Sequence, residues 1–149
     1  MATGLFFEEF EIDSTYTSQG RTITEGEVMA FAGLSGDYNP LHTDAEFART
    51  TPFGERIAHG MLTVAISTGM SNWTGIFAGT TMALLEQNIQ YKAAVKFGDT
   101  VHLEMKVTEK RETSKPDRGI VKFAAQMINQ DGNLVVDMIW TLMMRRRAE

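Results

Sequence analysis

Ile57-Ala58-His59-Gly60-Met61-Leu62-Thr63-Val64-Ala65-Ile66-Ser67-Thr68-Gly69-Met70-Ser71-Asn72-Trp73 is the stretch whose reading decides the fold. It contains no proline, only the well-separated Gly60 and Gly69, and apolar side chains at Met61, Leu62, Val64, Ala65, Ile66, Met70 and Trp73. On a helical period these positions cover most of the circumference, and a helix that is apolar nearly all round is one the rest of the chain encloses. The spacing predicts one buried helix of about four turns.

The chain after it changes period. Residues 80–95, 100–110, 119–129 and 133–144 carry β-branched or aromatic side chains in strand-like alternation. Val101, Leu103, Met105 and Val107 form one series, and Leu134, Val136, Met138, Trp140 and Leu142 another. Gly98-Asp99, Lys115-Pro116-Asp117-Arg118-Gly119 and Asn129-Gln130-Asp131-Gly132-Asn133 supply turns, so the expectation is an antiparallel meander. One buried helix ahead of long antiparallel strands makes an α+β domain in which a curved sheet wraps the helix, the hot-dog arrangement. At 149 residues and 43% hydrophobic content, a single domain over 1–149 is expected. A single sheet layer leaves one face and its edges open, and the last strand is apolar in both phases, Val135 and Ile139 against Val136 and Met138. Both features predict a homo-oligomer, at least a dimer, joined by sheet pairing across a two-fold.

Upstream of the helix, Thr24-Glu25-Gly26-Glu27 is a capping-box signature, and Val28, Met29, Phe31, Ala32 and Leu34 continue it at helical spacing as far as Ser35-Gly36. Thr43-Asp44-Ala45-Glu46 predicts a second short helix ending near Thr50, before Pro52. Between them lies Leu34-Ser35-Gly36-Asp37-Tyr38-Asn39-Pro40-Leu41-His42. Gly36 permits positive φ, Pro40 fixes φ, and Asn39 can bind backbone across the turn, so the directions of Asp37 and His42 are restrained. By themselves an aspartate and a histidine five apart fit a capped turn as well as they fit catalysis. His59-Gly60 also has two readings. Either the pair packs where the helix is crowded, or the helix's first N–H groups face a developing oxyanion. Asp37, His42 and His59 resemble a metal set in composition but lack a helical His-x-x-x-His presentation, and no metal is expected.

Several function classes are disfavoured. A formal net charge of −5 argues against a nucleic-acid partner, and Arg145 to Arg147 read as a solvated terminal segment. Zero cysteines rule out a thiolate nucleophile or cysteine-ligated metal. Neither a Gly-x-Ser-x-Gly elbow nor a nucleotide-binding glycine motif is present. No stretch approaches a membrane span, and the opening residues lack a signal pattern, so no membrane partner and a cytoplasmic location are expected. His102 falls out of phase with its apolar neighbours and is expected to be exposed.

The motif from Phe31-Ala32-Gly33-Leu34-Ser35-Gly36-Asp37-Tyr38-Asn39-Pro40-Leu41-His42, with Asp44, Phe47 and Ala48 and then His59-Gly60-Met61, strongly resembles the MaoC-like, R-specific enoyl-CoA hydratase family (hydratase 2). A weaker likeness runs through Gln87 to Thr100, around Tyr91-Lys92-Ala93-x-Val95-x-x-Gly98-Asp99-Thr100. The resemblance implies a hot-dog homodimer acting on an acyl thioester of coenzyme A or acyl carrier protein, with no cofactor beyond that carrier. It implies Asp37 and His42 as the catalytic pair holding a water and Gly60 N–H as oxyanion donor, with Asn39 holding the loop and that water at the substrate. Met61, Leu62, Trp73 and Phe77 are candidates for lining the acyl chain along the buried helix, with plain core packing the favoured reading of each, His59 is a candidate for substrate contact, and Lys92, Lys96 and Arg111 are candidates for the carrier's phosphates. Two other activities suit the same fold. A thioesterase would attack C1 instead of C3, and the Gly-Asp-x-Asn-Pro-x-His motif speaks against it. A non-catalytic binding subunit would be marked by loss of Asp37 or His42, and both are present.

Overall fold

The computed structural model describes residues 4–147. A six-stranded antiparallel sheet packs against one long helix. Its strands are β1 (Thr15–Thr17), β2 (Arg21–Thr22), β3 (Thr81–Tyr91), β4 (Thr100–Glu112), β5 (Arg118–Asn129) and β6 (Leu134–Arg145). The helices are α1 (Glu25–Ser35), α2 (Pro40–Thr43), α3 (Ala45–Arg49) and α4 (Gly60–Trp73).

The buried helix opens at Gly60, as expected from His59-Gly60, because Ile57 bridges to Lys96 and Ala58 N–H donates to Val95 O at 2.8 Å, holding both extended. Only one side of α4 is enclosed. Leu62, Val64, Ile66 and Met70 are buried with Thr63, Ser67 and Ser71, whereas Met61 and Trp73 are 57% and 54% exposed. The buried hydroxyls are satisfied within the helix, Ser67 donating to Val64 O at 2.6 Å and Ser71 to Thr68 O at 2.7 Å. They can therefore sit against the sheet without stranding a polar group.

Strand order is β1-β4-β5-β6-β3, with β2 also on β4. Three of the four long strands form the expected meander. The first does not: β3 pairs with β6, from Thr81 opposite Met144 to Tyr91 opposite Val136, and lies at the far edge. The reason lies in the connection from β3 to β4. Lys92 and Ala93 N–H groups both donate to Val135 O, Val95 and Lys96 then pair with 58 and 57, and Gly98 N–H donates to Ile23 O. This connection passes in front of the N-terminus of α4 instead of folding back as a hairpin.

The Thr24–Glu27 capping box forms as expected, Glu27 N–H donating to Thr24 Oγ1 and Thr24 N–H to Glu27 Oε2. The second helix start is shifted. Asp44, not Thr43, caps α3 through its carboxylate, because Thr43 ends the unforeseen one-turn helix α2 that Asn39 caps and Pro40 opens. Arg145 to Arg147 are not a loose tail. Arg145 ends β6, Arg146 Nε donates to Glu8 at 2.8 Å and Arg147 to Glu9 at 2.6 Å, fastening the 3-10 turn Phe7–Glu9 to the sheet. His102 is half-buried and pairs with Glu104 at 3.1 Å. Among the described residues no helix is long and apolar enough to cross a membrane.

Candidate active site

The segment after α1 turns because Gly36 takes a left-handed φ of 76°, its N–H closing the helix on Ala32 O at 2.9 Å. Ser35 Oγ accepts Asp37 N–H at 3.1 Å, Asp37 Oδ1 accepts Asn39 N–H at 3.2 Å, and Asn39 Oδ1 accepts Leu41 N–H at 3.0 Å. Each polar side chain thus fixes the backbone two residues on, and α2 starts where the relay stops. His42 lies on α2, and its Nδ1 is 2.7 Å from Ile57 O. A carbonyl only accepts, so Nδ1 carries the hydrogen and Nε2 keeps the lone pair in the neutral ring.

His59, the residue before α4, is buried, and its Nε2 lies 2.9 Å from Asp37 O. Its ring stacks on His42 with centroids 3.8 Å apart and planes tilted by 30°, and Phe31 covers it from 5.0 Å. Asp37, His42 and His59 each offer a polar side-chain atom, all within 4.8 Å of one another. His42 Nδ1 and His59 Nε2 already serve carbonyls, so one nitrogen of each ring is taken.

These residues open onto a cleft of about 580 Å³ lined by Asp37, His42, His59, Gly60 and Met61 together with Phe31, Phe53, Ile57 and the chain from Tyr91 to Ala94. Gly60 is the first residue of α4, so its N–H has no carbonyl one turn earlier and stands at the positive end of the helix. The cleft therefore brings together a carboxylate, an imidazole lone pair and a helix-terminal N–H, with apolar walls beside them.

Of the other residues singled out from sequence, Asn39 sits outside the cleft lining, its side chain engaged in capping α2. Leu62 turns to the core and to a separate shallow groove beside Arg21 and Leu34. Trp73 is at the opposite end of α4, with the Arg21 guanidinium 5.8 Å from its ring. Phe77 packs in an aromatic cluster with Phe123 at 5.5 Å and Phe10 at 6.4 Å. Lys92 lines the cleft mouth, whereas Lys96 pairs with Glu55 at 2.5 Å. Sequence reasoning missed Phe31, Phe53 and Tyr91 as cleft residues. Tyr91 stood within a noted motif, but nothing local to it shows that it meets Gly60.

The family described as "MaoC like domain" matches residues 9–126. An (R)-specific enoyl-CoA hydratase of Aeromonas caviae is 39% identical over 110 residues, 74% of this chain and 78% of that protein. A 3-hydroxybutyryl-CoA dehydratase of Methylorubrum extorquens is 33% identical over 105 residues, 70% of this chain but only 65% of that protein's length. The MaoC-like dehydratase structure from Rhodospirillum rubrum superposes with a TM-score of 0.87 at 26% identity, covering 98% of this chain and 100% of the other. At 20% identity, a Mycobacterium tuberculosis protein with a double hot-dog fold has a TM-score of 0.86 over 98% of this chain and 46% of its own, a likeness of fold alone. With the α4-wrapping sheet and a match over most of its length, this chain belongs to the MaoC-like domain family and has the hot-dog fold.

Proposed function

We propose that the protein adds water across the double bond of trans-2-enoyl thioesters of coenzyme A or acyl carrier protein, giving (R)-3-hydroxyacyl thioesters, and catalyses the reverse dehydration. The observation that carries this reading is the meeting of Asp37, His42 and the Gly60 end of α4 in one cleft. The names of the relatives support the substrate class and the handedness.

The chemistry follows from the geometry. A water held between the Asp37 carboxylate and the His42 Nε2 lone pair bonds through its oxygen to C3 as one of its protons passes to that pair. The C2–C3 π electrons move toward the thioester carbonyl, whose oxygen becomes negative. Gly60 N–H stabilises that oxygen more in the transition state than in the substrate, which is the condition for acceleration. The pair returns a proton to C2 from the same face. Oxygen, hydrogen and charge balance without a redox group or metal, so no cofactor beyond the thioester carrier is proposed.

The working unit in this reading is a homodimer in the cytoplasm. The free edge of β3 and its exposed Met82, Leu84 and Leu85 support pairing with a second copy, since an unprotected apolar edge invites strand addition. Sedimentation of the purified chain checks this, and a monomer at micromolar concentration removes it.

Crotonyl-CoA tests the activity, with loss of enoyl-thioester absorbance, chiral identification of the product and a parallel free-thiol readout. The expected result is (R)-3-hydroxybutyryl-CoA without thiol release. Thiol release, or no reaction with short, long or carrier-protein enoyl thioesters, overturns it.

A further inference from the structure

His59 is 3% exposed, and its Nδ1 is buried with no hydrogen-bond partner among the described residues. If this position served packing alone, a phenyl ring would fill it without stranding a polar atom. The nitrogen that is used shows what the imidazole supplies. Its Nε2–H donates to the peptide oxygen of Asp37 at 2.9 Å, while one ring face lies on His42 at 3.8 Å between centroids.

These contacts tie together parts that the backbone holds separately. The α2 helix is fastened to the strand leading into α4 by His42 Nδ1–H and Ile57 N–H, which donate to Ile57 O and Leu41 O respectively. The Asp37 loop, by contrast, is braced mainly from within, by Ser35 and Asn39. His59 Nε2–H is what connects that loop to the residue preceding Gly60.

We propose that His59 is a positioning residue that sets the spacing of Asp37, His42 and Gly60, by its Nε2–H on the Asp37 carbonyl and its ring on the His42 imidazole, without contacting substrate. The proposal rests on the hydration reading of this cleft. His59 lines the cleft but presents almost none of its surface there, which separates it from Met61 and Tyr91.

Two variants separate its contacts. His59→Phe keeps a ring on His42 and loses the donor. His59→Gln keeps an N–H of similar reach and loses the ring. The expectation is that both melt cooperatively, that His59→Phe lowers kcat by roughly 100-fold with KM little changed, as displacement of a reacting group by about 1 Å does, and that His59→Gln recovers most of that loss. A raised KM at unchanged kcat would make His59 a substrate contact and overturn the proposal, as would near-normal kcat in His59→Phe. Equal loss in both variants would leave only a packing role. The tether is also read without substrate, from the 13C shift of the Asp37 carbonyl. Loss of the donor moves it upfield in His59→Phe and not in His59→Gln, and an unmoved signal overturns the tether. Should the wild type fail to hydrate any enoyl thioester while that signal behaves as expected, the hydration reading falls and the tether stands.

Discussion

Gly60 and Tyr91 meet so closely that a β-carbon on residue 60 would lie 2.7 Å from Tyr91 Cε1 and 2.8 Å from Cζ. The glycine that opens α4 is therefore required by a strand at the far edge of the sheet, quite apart from any substrate. Tyr91 is 51% exposed and its hydroxyl points to Met61 Sδ at 3.4 Å, so the ring stands at the cleft wall.

Gly60→Ala is expected to lower the melting temperature, since forcing a methyl against a ring typically costs about 1–3 kcal/mol, and to lower turnover. Adding Tyr91→Ala removes the collision, and alanine favours the helix by about 1 kcal/mol over glycine, so stability returns. Activity does not return if the proposed hydration holds, because the methyl still stands beside the N–H assigned to the thioester oxygen. Thermal melts paired with turnover measure both, and recovery of activity in the double variant would confine Gly60 to accommodating Tyr91.

Asp37→Asn should leave the fold intact. The carboxylate is exposed, and its visible structural duty, accepting Asn39 N–H at 3.2 Å, is one that an amide oxygen also performs. Turnover should fall by roughly 10²–10⁴-fold, the span expected for loss of a proton-transfer group. Circular dichroism with enoyl-CoA kinetics decides it, and near-normal turnover removes Asp37 from the chemistry.

Dialysis against EDTA should leave turnover unchanged, because two ring nitrogens of the Asp37, His42 and His59 triplet are taken by carbonyls. A loss restored by zinc or iron would reassign the triplet as a metal site.

Glu27 gives a pH prediction. Burial pushes its carboxyl upward, but the N–H of Thr24, the Arg21 guanidinium and the Thr24 hydroxyl outweigh that and hold it below the usual 4.5. A carboxyl depressed in the folded state stabilises the fold at pH values above its unfolded pKa, and that contribution disappears as pH falls through the folded value. Glu27→Gln should therefore be less stable than the parent at pH 7, by roughly 0.5 kcal/mol for a partly exposed pair, with the gap closing in acid. Urea melts at pH 7 and pH 3 measure it, and a gap that persists at pH 3 would assign the loss to packing.

The four long strands were legible from sequence because period-two alternation is local and their turns carry Gly, Asn and Asp. The Thr24 box and the crowding of polar side chains around Asp37 were legible for the same reason. The position of β3 was not, since alternation marks a strand without naming its neighbour. Nor was the split surface of α4: Met61, Leu62 and Trp73 are all apolar, and only the third dimension turns one to the cleft, one to the core and one to the far end. For Phe77 the favoured core reading holds, since it packs with Phe10 and Phe123. His59 showed that it belongs near the site but not how, because its partner is a backbone oxygen, which every residue has.

The place of β3 has a consequence for how the cleft comes into being. Thr81 is separated from its partner Met144 by 63 positions, so β3 leaves the ribosome long before the strand it needs exists. The β4-β5-β6 hairpins close over short distances and form early, whereas β3 waits on a long loop closure. Tyr91 travels with it. A nascent chain ending before β6 would already hold Asp37, His42 and Gly60, yet the wall at Tyr91 would have nothing to dock on. The cleft wall at Tyr91 is thus completed only once β6 is there for β3 to pair with.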